Sequence, residues 1–167
     1  MKLLDKLLKS FKKLLRTKNF NAAETRLKLG LDVNDDYWLF ATPVHLVLQR
    51  DSFSMAEPLL LSATEHASLL KTLNAHFEED DLQFSQHENT WFLCLKSDPQ
   101  ITTIAPQKLV NRDIQAYLPS GAGAAKFAQL TNEIQMLLFE HAINIEREKQ
   151  KLLPVNSVWF HGLGQNS

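Results

Sequence analysis

Ser62-Ala63-Thr64-Glu65-His66-Ala67-Ser68-Leu69-Leu70-Lys71-Thr72-Leu73-Asn74-Ala75-His76-Phe77 is followed by an acidic run, Glu78 to Asp81. Leu82-Gln83-Phe84-Ser85 and Trp91-Phe92-Leu93-Cys94-Leu95-Lys96 come next. These 35 residues decide the fold class. Ser62 and Glu65 form a capping box, in which the hydroxyl accepts from the amide at Glu65 and the carboxylate reaches back. His66, Leu69, Leu70, Leu73 and Phe77 then mark one face of a helix. Leu82–Ser85 and Trp91–Lys96 read as strands joined by the polar loop Gln86-His87-Glu88-Asn89-Thr90. Trp91, Leu93 and Leu95 fall on one face of the second strand, Phe92 and Cys94 on the other. Apolar residues on both faces predict a central strand covered on both sides.

Upstream, Val44, Leu46 and Leu48 alternate with His45, Val47 and Gln49, which predicts a half-buried strand over 42–49. Arg50-Asp51-Ser52 reads as a turn and 55–61 as a further strand, with Pro58 demoting part of it to an edge or break. Downstream, the three prolines of 97–119 mark a long irregular connection. Gly121 and Gly123 lead into a helix carrying Phe127, Leu130, Ile134, Leu137, Leu138 and His141, and the chain closes with a strand near 155–164. Helices and strands in this order predict an α+β fold, a mainly antiparallel sheet with helices packed on one face. An N-terminal basic amphipathic helix is added to it. Residues 1–30 are expected to be an N-terminal helical segment, and 31–167 a single α+β domain.

The chain has 167 residues and a formal charge of -1, which leaves no global footprint for nucleic acid. The charge is unevenly placed. Lys2, Lys6, Lys9, Lys12, Lys13, Arg16 and Lys18 stand against Asp5, so residues 1–18 carry +6 and the remainder -7. Leu3, Leu4, Leu7, Leu8, Phe11, Leu14 and Leu15 form an apolar stripe among them. Such a helix either packs its stripe on the domain core, the favoured reading, or lies on an anionic membrane surface or in a partner's groove. The single cysteine, Cys94, excludes an internal disulfide and a cysteine-based zinc knuckle. No apolar run reaches membrane-spanning length, and a cytoplasmic location is expected.

Chemistry-bearing patterns are sparse. Gly121-Ala122-Gly123 lacks the third glycine and the preceding strand of a dinucleotide fingerprint. The six histidines have no metal-ligand spacing, and Glu78–Asp81 reads as a solvated helix end. Nothing cationic flanks Cys94 closely, so it reads as an inert thiol. The C-terminal stretch is richer. Asn144 and Arg147 share a helix face, and the guanidinium fork suits phosphate or carboxylate. Pro154 forces a turn that brings Asn156 and Trp159 back towards them. An exposed Trp159 would offer a stacking surface, and terminal glycines allow close approach of a ligand or backbone. The same residues serve equally as a staple between the last strand and the helix.

The run from Trp38 to Gly164 resembles the bacterial regulatory proteins of the RpfE type, and the cap-domain region of archaeal-type, cofactor-independent phosphoglycerate mutases. The resemblance rests on Trp38-Leu39-Phe40-Ala41-Thr42-Pro43-Val44-His45-Leu46 with Arg50-Asp51, on Leu73–Phe77, and on Asn111-Arg112-Asp113-Ile114 with Tyr117–Gly121. It continues through Asn132–Leu138, Asn144-Ile145-Glu146-Arg147 and Leu153-Pro154-Val155-Asn156-Ser157-Val158-Trp159. His161-Gly162-Leu163-Gly164 departs from the family pattern, which has a Trp and further glycines there. The chain also stops where family members are expected to continue. Mutase chemistry needs clustered Asp and His ligands for two metals and an activated Ser or Thr, and no such motif is found here. The resemblance therefore implies a non-catalytic regulatory or binding protein with no cofactor. The alternative it leaves is one part of a mutase-like phosphotransferase whose metal core lies elsewhere. Arg112, Asn144, Arg147, Asn156 and Trp159 are the candidate ligand-binding residues. A protein partner or a small anionic ligand is the expected occupant.

Overall fold

The computed structural model describes residues 20–166. Helix α1 (Ala22–Lys28) leads into strands β1 (Tyr37–Val44), β2 (Leu46–Leu48) and β3 (Phe53–Met55). Helix α2 (Ala63–His76), strands β4 (Leu82–His87) and β5 (Thr90–Leu95), helices α3 (Ala124–Phe139) and α4 (Ala142–Lys149), and strand β6 (Ser157–Gln165) follow. Four strands form one sheet in the order β4-β5-β1-β6, with every neighbouring pair antiparallel. β2 and β3 form a separate two-stranded ribbon.

Three apolar clusters hold these elements, each with one of the three tryptophans. The long helices α2 and α3 cover one sheet face, placing Leu69, Leu73, Ile134 and Leu138 against Leu39, Trp91, Leu93 and Phe160. On the opposite face Ala22 and Ala23 of α1 meet Trp38, Phe92 and Cys94. Under the ribbon, Val44, Leu46 and Met55 pack with Leu109, Ile114 and Trp159. The two-sided reading of β5 follows directly: its alternate residues feed the first two clusters.

Several boundaries differ from the sequence reading. The strand expected over 42–49 is two strands separated at His45, and β1 begins at Tyr37. The consecutive run Tyr37-Trp38-Leu39-Phe40-Ala41 is what a strand buried on both faces requires. The strand expected over 55–61 is confined to Phe53–Met55. Beyond it Leu59 and Leu61 pack against the core while Leu60 is 90% exposed. His141 does not extend α3. Its imidazole caps α4, accepting from the Ile143 amide at 3.1 Å. The glycines before α3 are a packing device, because a Cβ on Gly123 would run into the Pro99 carbonyl oxygen. Of the expected N-terminal segment, 22–28 form α1, capped at Asn21. The basic stripe of 1–18 lies outside the described residues.

Candidate functional site

The polar residues singled out near the C-terminus line a seam in which α4 and the 150–157 segment meet α2. α4 puts Asn144 and Arg147 on its inner face, 3% and 4% exposed. The Asn144 amide donates to the Leu138 and Val155 carbonyls at 2.8 and 2.7 Å, and its oxygen accepts from the Val155 amide at 2.8 Å. Arg147 donates from Nε to the Leu153 carbonyl at 2.8 Å and from Nη1 to the Leu60 carbonyl at 3.2 Å. The same Nη1 lies 3.0 Å from both carboxylate oxygens of Glu65. Glu65 also accepts from the Ser62 amide at 2.8 Å, closing the capping box of α2. Partial burial works against its charge, but the Ser62 amide and the Arg147 guanidinium outweigh it and hold the carboxyl below its ordinary range.

Asn156 continues the seam. Its side-chain oxygen accepts from the Leu46 amide at 2.7 Å and its nitrogen donates to the Leu46 carbonyl at 2.8 Å. His45 donates from Nδ1 to the Pro154 carbonyl at 2.9 Å. Trp159 is not an exposed stacking surface: it is 4% exposed, and its indole N–H donates to the Ile104 carbonyl at 2.8 Å. Arg112 stands apart on the exposed loop that follows Leu109. The terminal glycines admit the protein's own chain, since a Cβ on Gly164 would run into the Asn21 amide oxygen.

Three asparagines share one geometry. Asn144 on Val155 and Asn156 on Leu46 each bond both the N–H and the C=O of a single residue, as a neighbouring strand would. Asn74 does the same to Phe84, accepting at 2.7 Å and donating at 2.9 Å. Sequence reasoning missed Glu65 as the partner of Arg147, although its capping box had marked it. It also missed Asn74 and His45, whose partners are 10 and 109 residues away. Among the described residues no buried side-chain nitrogen or oxygen lacks a partner. Nor do any three His, Cys, Asp or Glu side chains group as metal ligands would. Chemically the seam is a set of hydrogen bonds closed upon itself.

An antiparallel sheet with long helices on one face and a stitched C-terminal seam defines an α+β unit. No family model matches the chain. It is 26% identical over 107 residues to the 2,3-bisphosphoglycerate-independent phosphoglycerate mutase of Methanosarcina barkeri, a match covering 62% of this chain and 27% of that one. A probable enzyme of the same name from Geobacter sulfurreducens is 26% identical over 110 residues, covering 63% and 27%. The structure of the cofactor-independent phosphoglycerate mutase from Thermoplasma acidophilum superposes with a TM-score of 0.58 at 18% identity. That superposition covers 84% of this chain and 40% of the other, and speaks to the fold alone. These matches show distant homology to the cofactor-independent phosphoglycerate mutase superfamily. It spans about a quarter of the length of the curated relatives it matches.

Proposed function

We propose that this chain is a binding or regulatory protein of the RpfE type, built on the unit that forms the cap-domain region of the mutases, and that it transfers no phosphoryl group itself. One observation carries the reading. Asn74, Asn144, Arg147, Asn156 and Trp159, which lie in the stretches that carry the resemblance, all direct side-chain hydrogen bonds at backbone groups of this chain and so hold its segments together. Assays of the purified full chain for mutase and phosphatase turnover with added divalent metals test it. Turnover above background that chelation abolishes would overturn it.

A second reading is favoured by the coverage: the chain matches only 27% of the length of its curated relatives. In that reading it completes a phosphotransferase whose metal core is carried by a separate chain. It requires an adjacent reading frame rich in Asp and His, and fails without one. Either reading places the chain in the cytoplasm, with a protein or small anionic ligand as partner. The less favoured reading of the basic stripe of 1–18 adds a contact with anionic surfaces. Sedimentation with anionic vesicles at low salt tests that contact, and a chain left in the supernatant removes it.

A further inference from the structure

Among the described residues strand β4 is an edge strand, paired on one side with β5 and on the other with no strand. Its residues, Leu82-Gln83-Phe84-Ser85-Gln86-His87, include no Lys, Arg, Asp, Glu or Pro, the residues that commonly keep edge strands from pairing with other chains. In an antiparallel ladder, alternate residues direct both backbone groups at the partner and the others direct both away from it. Phe84 belongs to the second kind, because its N–H and C=O both engage Asn74. The period of two puts Leu82 and Gln86 in the same outward row. The clamp therefore sits on the middle one of three outward positions. Among the described residues, it is the one hydrogen-bonded cover on that row.

We infer that Asn74 is an edge guard: its amide occupies the hydrogen-bonding positions through which β4 would otherwise pair with β4 of a second copy of this chain. The second copy is the occupant the sequence favours. An antiparallel pair of identical strands closes on a two-fold axis and satisfies both edges at once. A charge-free strand offers that pair no like-charge repulsion. The guard works by geometry. An incoming strand must first displace both Asn74 bonds, whereas a helix residue without an amide leaves the Phe84 N–H and C=O open.

Sedimentation velocity on Asn74→Ala over a range of concentrations tests this. The expected result is a concentration-dependent species of twice the mass, absent from the parent protein, with the Phe84 amide protected from exchange in the dimer. Asn74→Ala combined with Gln86→Pro should return to monomer, because proline removes an outward N–H and is tolerated on edge strands. If Asn74→Ala does not fold, Asn74→Gln retains an amide while misplacing it, and should show the same dimer at higher concentration. A folded variant that stays monomeric throughout, or a dimer that survives Gln86→Pro, would overturn the inference.

Discussion

Arg147 is a buried cation whose recorded bonds run to two carbonyls and one carboxylate, so its removal leaves partners facing a void. Arg147→Ala should lower stability by about 1–3 kcal/mol, the usual consequence of leaving such groups unpaired. It should leave unchanged any stabilisation by sulfate or phosphate. Denaturant titrations with and without sulfate check both halves, and loss of a sulfate effect would instead assign an anion site. The histidines set the acid response. Burial holds His161 down to about pKa 4 and lowers His66 and His141 as well. His66 accepts from the Trp91 indole and His141 from the Ile143 amide, bonds that only neutral rings can accept at Nδ1. The unfolded chain therefore binds these protons first. Stability is full above about pH 6.5 and falls as pH drops towards 4, by up to about 3 kcal/mol for His161. His161→Gln should flatten that slope in denaturant midpoints taken across this range. At this scale the sequence showed which residues were chemically unusual. It could not show that their partners would be backbone groups brought together from distant segments.

Among the elements, α2 was legible because capping and periodicity are local: Ser62, Glu65 and the apolar face lie within sixteen residues. The β4–β5 hairpin was legible for the same reason. β1 and β2 were not separated, because the alternation of Val44, Leu46 and Leu48 runs unbroken through His45, and the break there is fixed by contacts with Pro154 and Ala56. The α3–α4 boundary was hidden because His141 continues the apolar spacing while acting as a cap. Glu65 ties two elements into one, serving both the α2 cap and Arg147 of α4. Ser62→Ala should cost about 1 kcal/mol as a lost cap. Glu65→Ala combined with Arg147→Ala should cost less than the sum of the two, since both changes break the same ion pair. A double-mutant cycle measured by chemical denaturation reads the coupling directly, and strict additivity would show that the two side chains act separately.

At the scale of the whole molecule, the fold class was legible because two-sided burial of β5 and long amphipathic helices leave few alternatives. The seam's closure was not, since it depends on Arg147 reaching Glu65 across 82 residues. The three apolar clusters share the sheet: β1 supplies Trp38 to one, Leu39 to another and Val44 to the third. They should therefore unfold together. Variants that each retain one tryptophan, with the other two changed to Phe, should give superimposable melting curves; a separate transition for Trp159 would make the ribbon an independent unit. The placement of Trp91 carries an optical consequence. Its indole N–H rests on His66 at 2.9 Å, with the ring centroids 5.9 Å apart. A charged imidazolium quenches an excited indole by accepting its electron, whereas a neutral ring does so far less. The emission of Trp91 alone should therefore dim as His66 takes up its proton, giving an intrinsic fluorescent readout of acid strain at the centre of the sheet.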